Sequence, residues 1–494
     1  MPARKTRRSA VLALALLMAA AVPVRATTPP TFTVVDSIRP GGEASRAMDN
    51  SESVALGDFL YFQANDGSVG YELWRTNGTT TELVSDINPG GNSSYPYNFH
   101  LLGDYLYFVA DDGTTGLELW RTNGTTTENV FDIRSGNDSS DPDYLTAAGD
   151  YLYFQAYDNA AGTEVWRTNG TVTTRVTDIR PGADSSYPEE FTVFGDYVYF
   201  SAHDDTNGWE MWRTNGTTTT RVADINSGSG DSYPGGYTAF GGYLYFAATD
   251  GIVARELWRT NGTTTTRVAD INSGVNGSSP SELTVFGDYL YFRAGDDTAS
   301  YELWRTNGTT TTRVADIQGG EGGSYPYGFT ALGGYLYFAA NDGSTGFEPW
   351  RTNGTTTQRI DDINTTGTDG SFPSTFTALG NYLYFIASSD GTATYVYRTN
   401  GTEAELVPFP AEGQRVNCDC YDTNLVAMGG RLFSTVESDA IGHEFAYLDE
   451  PTYGLPETNR DGVTNGAWTI VLSALALITL VAGVGLRLRV ANRA

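Results

Sequence analysis

The pentapeptide Trp-Arg-Thr-Asn-Gly recurs seven times at an unvarying interval, and no other feature restricts the fold of this 494-residue chain so tightly. Its tryptophans, Trp74, Trp120, Trp166, Trp212, Trp258, Trp304 and Trp350, stand 46 residues apart. An eighth copy, Tyr397-Arg398-Thr399-Asn400-Gly401, follows 47 residues after the seventh. A period in this range, with several β-rich runs per unit, belongs to toroidal or stacked repeat folds in which neighbouring units bury one another. Length alone suggests about three domains. The repeat replaces that expectation with a single array over residues 31–449.

One unit reads Tyr237-Thr-Ala-Phe, Gly241-Gly242, Tyr243-Leu-Tyr-Phe-Ala-Ala, Thr249-Asp-Gly, Glu256-Leu-Trp-Arg-Thr, Asn261-Gly262, then Thr263 to Ile271. Short β-branched and aromatic runs bounded by Gly or Asn-Gly predict strands. Three tight turns and one long connection per unit give four antiparallel strands, which is an all-β propeller blade. Phase matters at the ends. Counting starts near Ser53 and leaves the run Thr31 to Ile38 unassigned, with the character of a fourth strand. The last unit has only three strands, Asn424–Met428, Arg431–Glu437 and His443–Leu448. The N-terminal run is therefore expected to complete that sheet and close a ring of nine four-stranded blades, removing exposed edges. Eight blades with a divergent terminal unit, or an open solenoid, are the alternatives.

Asn-Gly between two strands favours a two-residue type I′ turn, because both turn residues then take positive φ. In that register Thr260 faces Thr263 and Glu256 faces Arg267. Equivalent pairs are Glu164–Arg175, Glu210–Arg221, Glu302–Arg313 and Glu348–Arg359, worth about 0.2–1 kcal/mol each as cross-strand ion pairs. The glutamates thus read as structural. A tryptophan at one fixed blade position reads as a wedge between sheets, burying roughly 150–250 Å², with sugar stacking as the alternative role.

The two ends carry a different code. Arg4, Lys5, Arg7 and Arg8 precede an apolar run from Ala10 to Val22 and the small-residue site Val24-Arg25-Ala26, the layout of a secretory signal over residues 1–26. A polar stalk at 450–467 leads into Trp468 to Leu486, an uncharged stretch long enough as a helix to cross a bilayer core of about 30 Å; a buried core helix is the alternative. Arg487, Arg489 and Arg493 follow in the tail at 487–494, and the positive-inside tendency puts the array outside. The expected location is the cell surface, as a single-pass membrane protein with its N-terminus outside.

Leu455-Pro456-Glu457-Thr458-Asn459, with the apolar stretch and basic tail behind it, resembles the LPxTG cell-wall sorting signal cleaved by sortases, with Asn459 in place of Gly. Wall linkage and simple retention by the helix are both consistent with that order. Without the eight basic residues of the two ends, the chain has 22 Lys+Arg against 59 Asp+Glu, a net of −37. Such a surface repels nucleic acid and anionic lipid. Cys418 and Cys420 are the only cysteines; their C-x-C spacing fits a local loop bridge or free thiols.

Glu72-Leu73-Trp74-Arg75-Thr76-Asn77-Gly78-Thr79 differs by one letter from the signature of the ELWxxDGT-repeat proteins, and the flanking Leu-Tyr-Phe-x-Ala, Asp-Ile and Ser-Tyr-Pro elements match too. Over about 420 residues the chain resembles these exported bacterial propeller-like proteins. The resemblance implies fold and location, and no defined activity or catalytic residue. The departure is Asn for Asp in every unit: Asn77, Asn123, Asn169, Asn215, Asn261, Asn307, Asn353 and Asn400. Each begins an N-x-T acceptor sequon on a turn.

Antiparallel blades put the first and third turns on one face of the ring, and the second turn and interblade link on the other. The link face carries the longer acidic loops. These include Asp111-Asp112, Asp204-Asp205 and Asp296-Asp297, and the links after Asp86, Asp132, Asp178, Asp224, Asp270, Asp316 and Asp362. Hard oxygen ligands of this type suit Ca²⁺, although no D-x-D-x-D-G run occurs. His100, His203 and His443 lie in different units, and no nucleophile elbow, metal-ligand cluster or phosphate loop is present. The expected function is binding or adhesion to a protein or carbohydrate ligand through the link face. A glycosylated envelope coat is the alternative, and a carboxylate-based glycosidase a weaker one.

Overall fold

The repeat builds nine separate four-stranded antiparallel sheets. The computed structural model describes residues 30–449, apart from 36–37, 40–44, 46–52, 417–424, 439–441, the pair 274–275 and single positions 253, 299, 321, 367 and 412. The signal segment, Cys418, Cys420, the stalk with Leu455–Asn459 and the apolar C-terminal stretch lie outside the described residues. No helix among the described residues is long and apolar enough to cross a membrane.

Blade 1 is typical, with strands Val54–Leu56, Phe59–Asn65, Tyr71–Thr76 and Thr81–Ser85. The first strands of successive blades contact one another, so they line the axis of the ring. Blade 9 is composite. Val426–Met428, Arg431–Ser438 and Gly442–Asp449 are completed by Thr33–Val34, with Thr33 opposite Tyr447 and Val34 opposite Ala446. Phe62 of blade 1 stacks on Phe445 of blade 9 at 4.8 Å, within a shared buried cluster that includes Leu60, Trp74 and Phe433. The nine-bladed ring closed by the N-terminal strand is therefore present, and eight blades and an open solenoid are ruled out.

Between blades the core repeats itself. Tyr61, Leu73 and Ile87 of blade 1 pack on Phe99, Leu106, Phe108 and Trp120 of blade 2, and the other blade pairs repeat this arrangement. The tryptophans sit in these interfaces as wedges; Trp74 and Trp166 are buried outright. The arginine of the pentapeptide explains the rest of the motif. The Arg259 guanidinium lies 4.4 Å over Tyr243 and donates to the Tyr245 hydroxyl and to the Gly308 carbonyl in the Asn-Gly turn of the next blade. Arg75 does the same toward Gly124. Arg431 of blade 9, stacked on Tyr447, carries the tie across the seam to the Asn77 carbonyl.

The hairpin register differs from the sequence expectation. Thr260 pairs with Thr265, not Thr263, so Asn261 to Thr264 form a four-residue loop. Gly262 takes φ +88° but Asn261 does not take positive φ. Its Oδ1 instead accepts the N–H groups of Thr263 and Thr264 at 3.0 and 2.9 Å, in the manner of an Asx turn. The longer loop slides the fourth strand by two residues. Arg267 then faces Trp258, and the five expected glutamate–arginine pairs do not form.

The glutamates are fully buried and fasten the link leaving their own blade. Glu72 accepts the Ile87 N–H at 2.8 Å, the Ser94 N–H at 2.9 Å and the Ser94 hydroxyl at 2.6 Å. Glu118, Glu256 and Glu302 hold the equivalent Ile and Ser in the same way. Glu444 of blade 9 accepts the Ile38 N–H, so the N-terminal segment is held as a link would be.

Candidate functional site on the link face

The second turn and the link lie together. Tyr71, just after the second turn, donates its N–H to the Ser93 hydroxyl, and the N–H groups of Ser94 and Tyr95 in the link donate to the Tyr71 carbonyl. The displaced arginines brace this face. Arg313 bridges Asp296 of the second turn and Asp316 of the link, both at 3.3 Å, and Arg359 does so with Asp342 and Asp362. Arg175 and Arg221 clasp Asp158 with Asp178, and Asp204 with Asp224.

Each of the aspartates considered for Ca²⁺ has a partner within the protein. Asp111 accepts the Gly113 N–H, and Asp112 the N–H groups of Thr114 and Thr115. Asp204 accepts from Thr206 and Asn207, Asp205 pairs with Arg180 at 2.7 Å, Asp296 accepts from Thr298, and Asp297 from Ser273. No group of three or more His, Cys, Asp or Glu side chains able to hold a metal ion occurs among the described residues. Burial acts to raise the carboxyls of Asp66, Asp112, Asp296 and Asp342, but their turn hydrogen bonds outweigh it and hold them below the ordinary value.

What the face does present is aromatic. The residue before the link proline is Tyr95, Tyr187, Tyr233, Tyr325 or Phe372 in five blades, and these side chains are 44–54% exposed. Their backbones take φ between +44° and +49°. Positive φ on a bulky L-residue costs about 1–2 kcal/mol. Four of them pack on the residue that follows the preceding second turn, with centroids 5.4–6.4 Å apart: Tyr71–Tyr95, Trp209–Tyr233 and Tyr301–Tyr325 are stacked and Phe347–Phe372 is tilted. Sequence reasoning used the Ser-Tyr-Pro element only as a family mark. The available signal was a large aromatic placed repeatedly before proline in a polar loop.

Toward the axis, the second residue of the first strand in blades 2 to 8 is also at positive φ: Asn98, Tyr144, Glu190, Gly236, Glu282, Gly328 and Thr375. Side chains here reach the next blade. Asn98 donates to Asp143 at 2.9 Å, Gly236 N–H to Glu190, and Gly328 N–H to Glu282 at 3.1 Å. A cavity of about 460 Å³ is lined here by Asp143, Tyr144 and Glu190, among others. Burial, with the neighbouring Glu190 charge, raises the Glu189 carboxyl, and burial near Asp141 and Asp143 pushes Tyr97 up to about 12. His100 is turned to structure, with Nε2 accepting the Ala147 N–H. His203 lies tilted on Trp209.

The pentapeptide asparagines belong to the third turns, apart from this surface. All are exposed except Asn77, which is half-buried at the seam. Their Oδ1 atoms serve the turn, as in Asn169, where it accepts from Thr171 and Val172.

No family model matches the chain. No curated protein matches it either. Among solved structures it is similar to one from a structural and mechanistic analysis of two prolyl endopeptidases, at 12% identity and a TM-score of 0.41, over 70% of this chain and 54% of that one. It is also similar to a puromycin hydrolase mutant complexed with PGG, at 13% identity and a TM-score of 0.36, over 71% and 59%. The chain thus spans little more than half the length of either, and both likenesses are of fold alone.

Proposed function

We propose that this propeller is an extracellular binding module, exported and held at the cell surface by its C-terminal segment, whose recognition surface is the link face. One observation carries the reading: exposed aromatics held at positive φ in five of the links. A link needs only its backbone ties to Glu and Ser; glycine would take the same φ without strain. Aromatic side chains at an aqueous surface supply large contact area at low entropic cost. The acidic turns set the long-range field and exclude polyanions. The resemblance to the ELWxxDGT-repeat proteins is consistent with this location, and no group of His, Cys, Asp and Glu able to hold a catalytic metal occurs among the described residues.

The test is binding of the purified full-length protein to arrayed glycans and cell-surface proteins, compared with a Tyr95→Ala, Tyr187→Ala, Tyr233→Ala variant. The expected result is loss of about tenfold or more in affinity with an unchanged melting curve. Retained binding in the folded variant sinks the link-face assignment.

A second reading concerns the opposite turns. Asn123, Asn169, Asn215, Asn261, Asn307, Asn353 and Asn400 are exposed sequon asparagines, and their Nδ2 groups make no hydrogen bond among the described residues. We propose N-glycosylation there in a host with the machinery, which leaves the link face free. Mass spectrometry of the native protein decides it: glycan mass on these peptides is expected, and bare asparagines throughout remove the coat alternative.

A further inference from the structure

At one place two departures from the repeat bring a pair of arginines together. At the position of Tyr71, Trp209 and Tyr301, blade 5 has Arg255, and where its link should present an exposed tyrosine it has Ser279. At the position of Gln63, Gln155 and Ala339, blade 6 has Arg293. Both arginines, with Ser281, Glu282 and the stacked pair Tyr301–Tyr325, line one open cavity of about 470 Å³ on the link face. That volume is within the range of small-ligand pockets, about 300–1,000 Å³. The equivalent cavity three blades earlier has Gln155 and Thr163 where this one has Arg293 and Tyr301, and its arginine, Arg134, is ion-paired with Asp138 at 3.4 Å.

The repeated arginines of the array are committed, either clasping aspartates of the link face or stacking on an inner-strand tyrosine or phenylalanine. Arg255 and Arg293 belong to neither set. Arg255 donates to the Ala247 carbonyl at 3.3 Å. Arg293 donates to the Ser281 hydroxyl at 3.0 Å and lies 5.9 Å over Tyr301. Neither forms an ion pair among the described residues. Two guanidinium groups against the single Glu282 carboxylate give this cavity an excess of positive charge, in a chain of net charge −29.

We propose that this cavity binds a uronic-acid unit of an acidic polysaccharide, an assignment that rests on the link-face reading. A guanidinium matches a carboxylate bidentately. The Tyr301–Tyr325 pair offers a flat apolar surface for one face of the sugar ring. Glu282 gives one oxygen to Gly328 and has another free to accept a sugar hydroxyl. A carboxylate, an apolar ring face and hydroxyl donors together describe a sugar acid better than an acidic peptide, which has no hydroxyl-bearing ring for the tyrosines and Glu282.

The experiment is titration calorimetry of the full-length protein with trigalacturonate, with neutral galactotriose and with a hexa-aspartate peptide as comparisons. Trigalacturonate should bind, weaken with added salt, and lose about tenfold or more in affinity in each of Arg255→Gln and Arg293→Gln. The one side-chain hydrogen bond of Arg255 among the described residues is to a backbone carbonyl, so Arg255→Gln carries the test if Arg293→Gln fails to fold. Equal binding of galactotriose, tighter binding of hexa-aspartate, or native affinity in Arg255→Gln overturns the proposal. A chain that binds neutral glycans through Tyr95, Tyr187 and Tyr233 but not trigalacturonate overturns this site alone and leaves the link-face reading standing.

Discussion

Glu72, Glu118 and Glu210 are buried carboxyls whose removal from water pushes them from 4.5 up to about 7, against the opposing pull of their Ser and Ile donors. A carboxyl raised on folding holds its proton in the native state where the unfolded chain has released it. Its stabilising contribution is therefore complete below about pH 4.5 and lost as pH rises through about 7. The turn aspartates Asp66, Asp112, Asp296 and Asp342 have the opposite sign: their contribution is present above 3.8 and lost in stronger acid. The melting temperature should thus be higher at pH 5 than at pH 8, and Glu118→Gln should flatten that dependence. A melting temperature rising from pH 5 to pH 8 contradicts the account. Gly308 is a sharper local probe. It sits at φ +87°, and a Cβ there would meet the Tyr245 hydroxyl at 2.7 Å and Arg259 Nη1 at 2.9 Å. Gly308→Ala should cost about 1–3 kcal/mol in denaturant unfolding, through backbone strain and the displaced arginine.

At the scale of the blade, the arginine of the pentapeptide joins neighbouring sheets through a ring face, a hydroxyl and a carbonyl at once. Lysine cannot reproduce a planar fork over an aromatic ring. Arg259→Lys should lower stability by about 1–2 kcal/mol, read from chemical denaturation, with little change in secondary structure. The strand pattern, the ring closure and the interface tryptophans were legible in the sequence because period and side-chain type dictate them. The hairpin register was not. Asn-Gly was read as a two-residue loop, whereas the asparagine carbonyl replaces a backbone acceptor and opens the loop to four residues. That one error misplaced all five glutamate–arginine pairs and hid the role of Glu256 and its equivalents as link anchors. Aromatic residues before proline were equally hard to read, since a proline disfavours helical backbone in its predecessor and gives no hint of positive φ.

The whole molecule stands on a seam made of Thr33–Val34, Gly442–Asp449, Arg431 and the Phe62–Phe445 stack. Deleting residues 31–38 leaves the last sheet with an unpaired edge and removes the Ile38 tie to Glu444. Such a chain should melt lower and associate, visible as dimers or larger species by size-exclusion chromatography. A monomer of native stability would show that the seam contributes little.

That seam also sets an order of events. Thr33 meets Tyr447 across 414 residues, while the other eight sheets pair strands that are sequence neighbours. Closing so long a loop costs roughly 3 kcal/mol more than closing a ten-residue hairpin. Eight blades can assemble as the chain emerges, but the first strand to be made must wait for the last. A chain without its last strands therefore keeps eight sheets and an unclosed end, and the final blade is what converts the array into a ring.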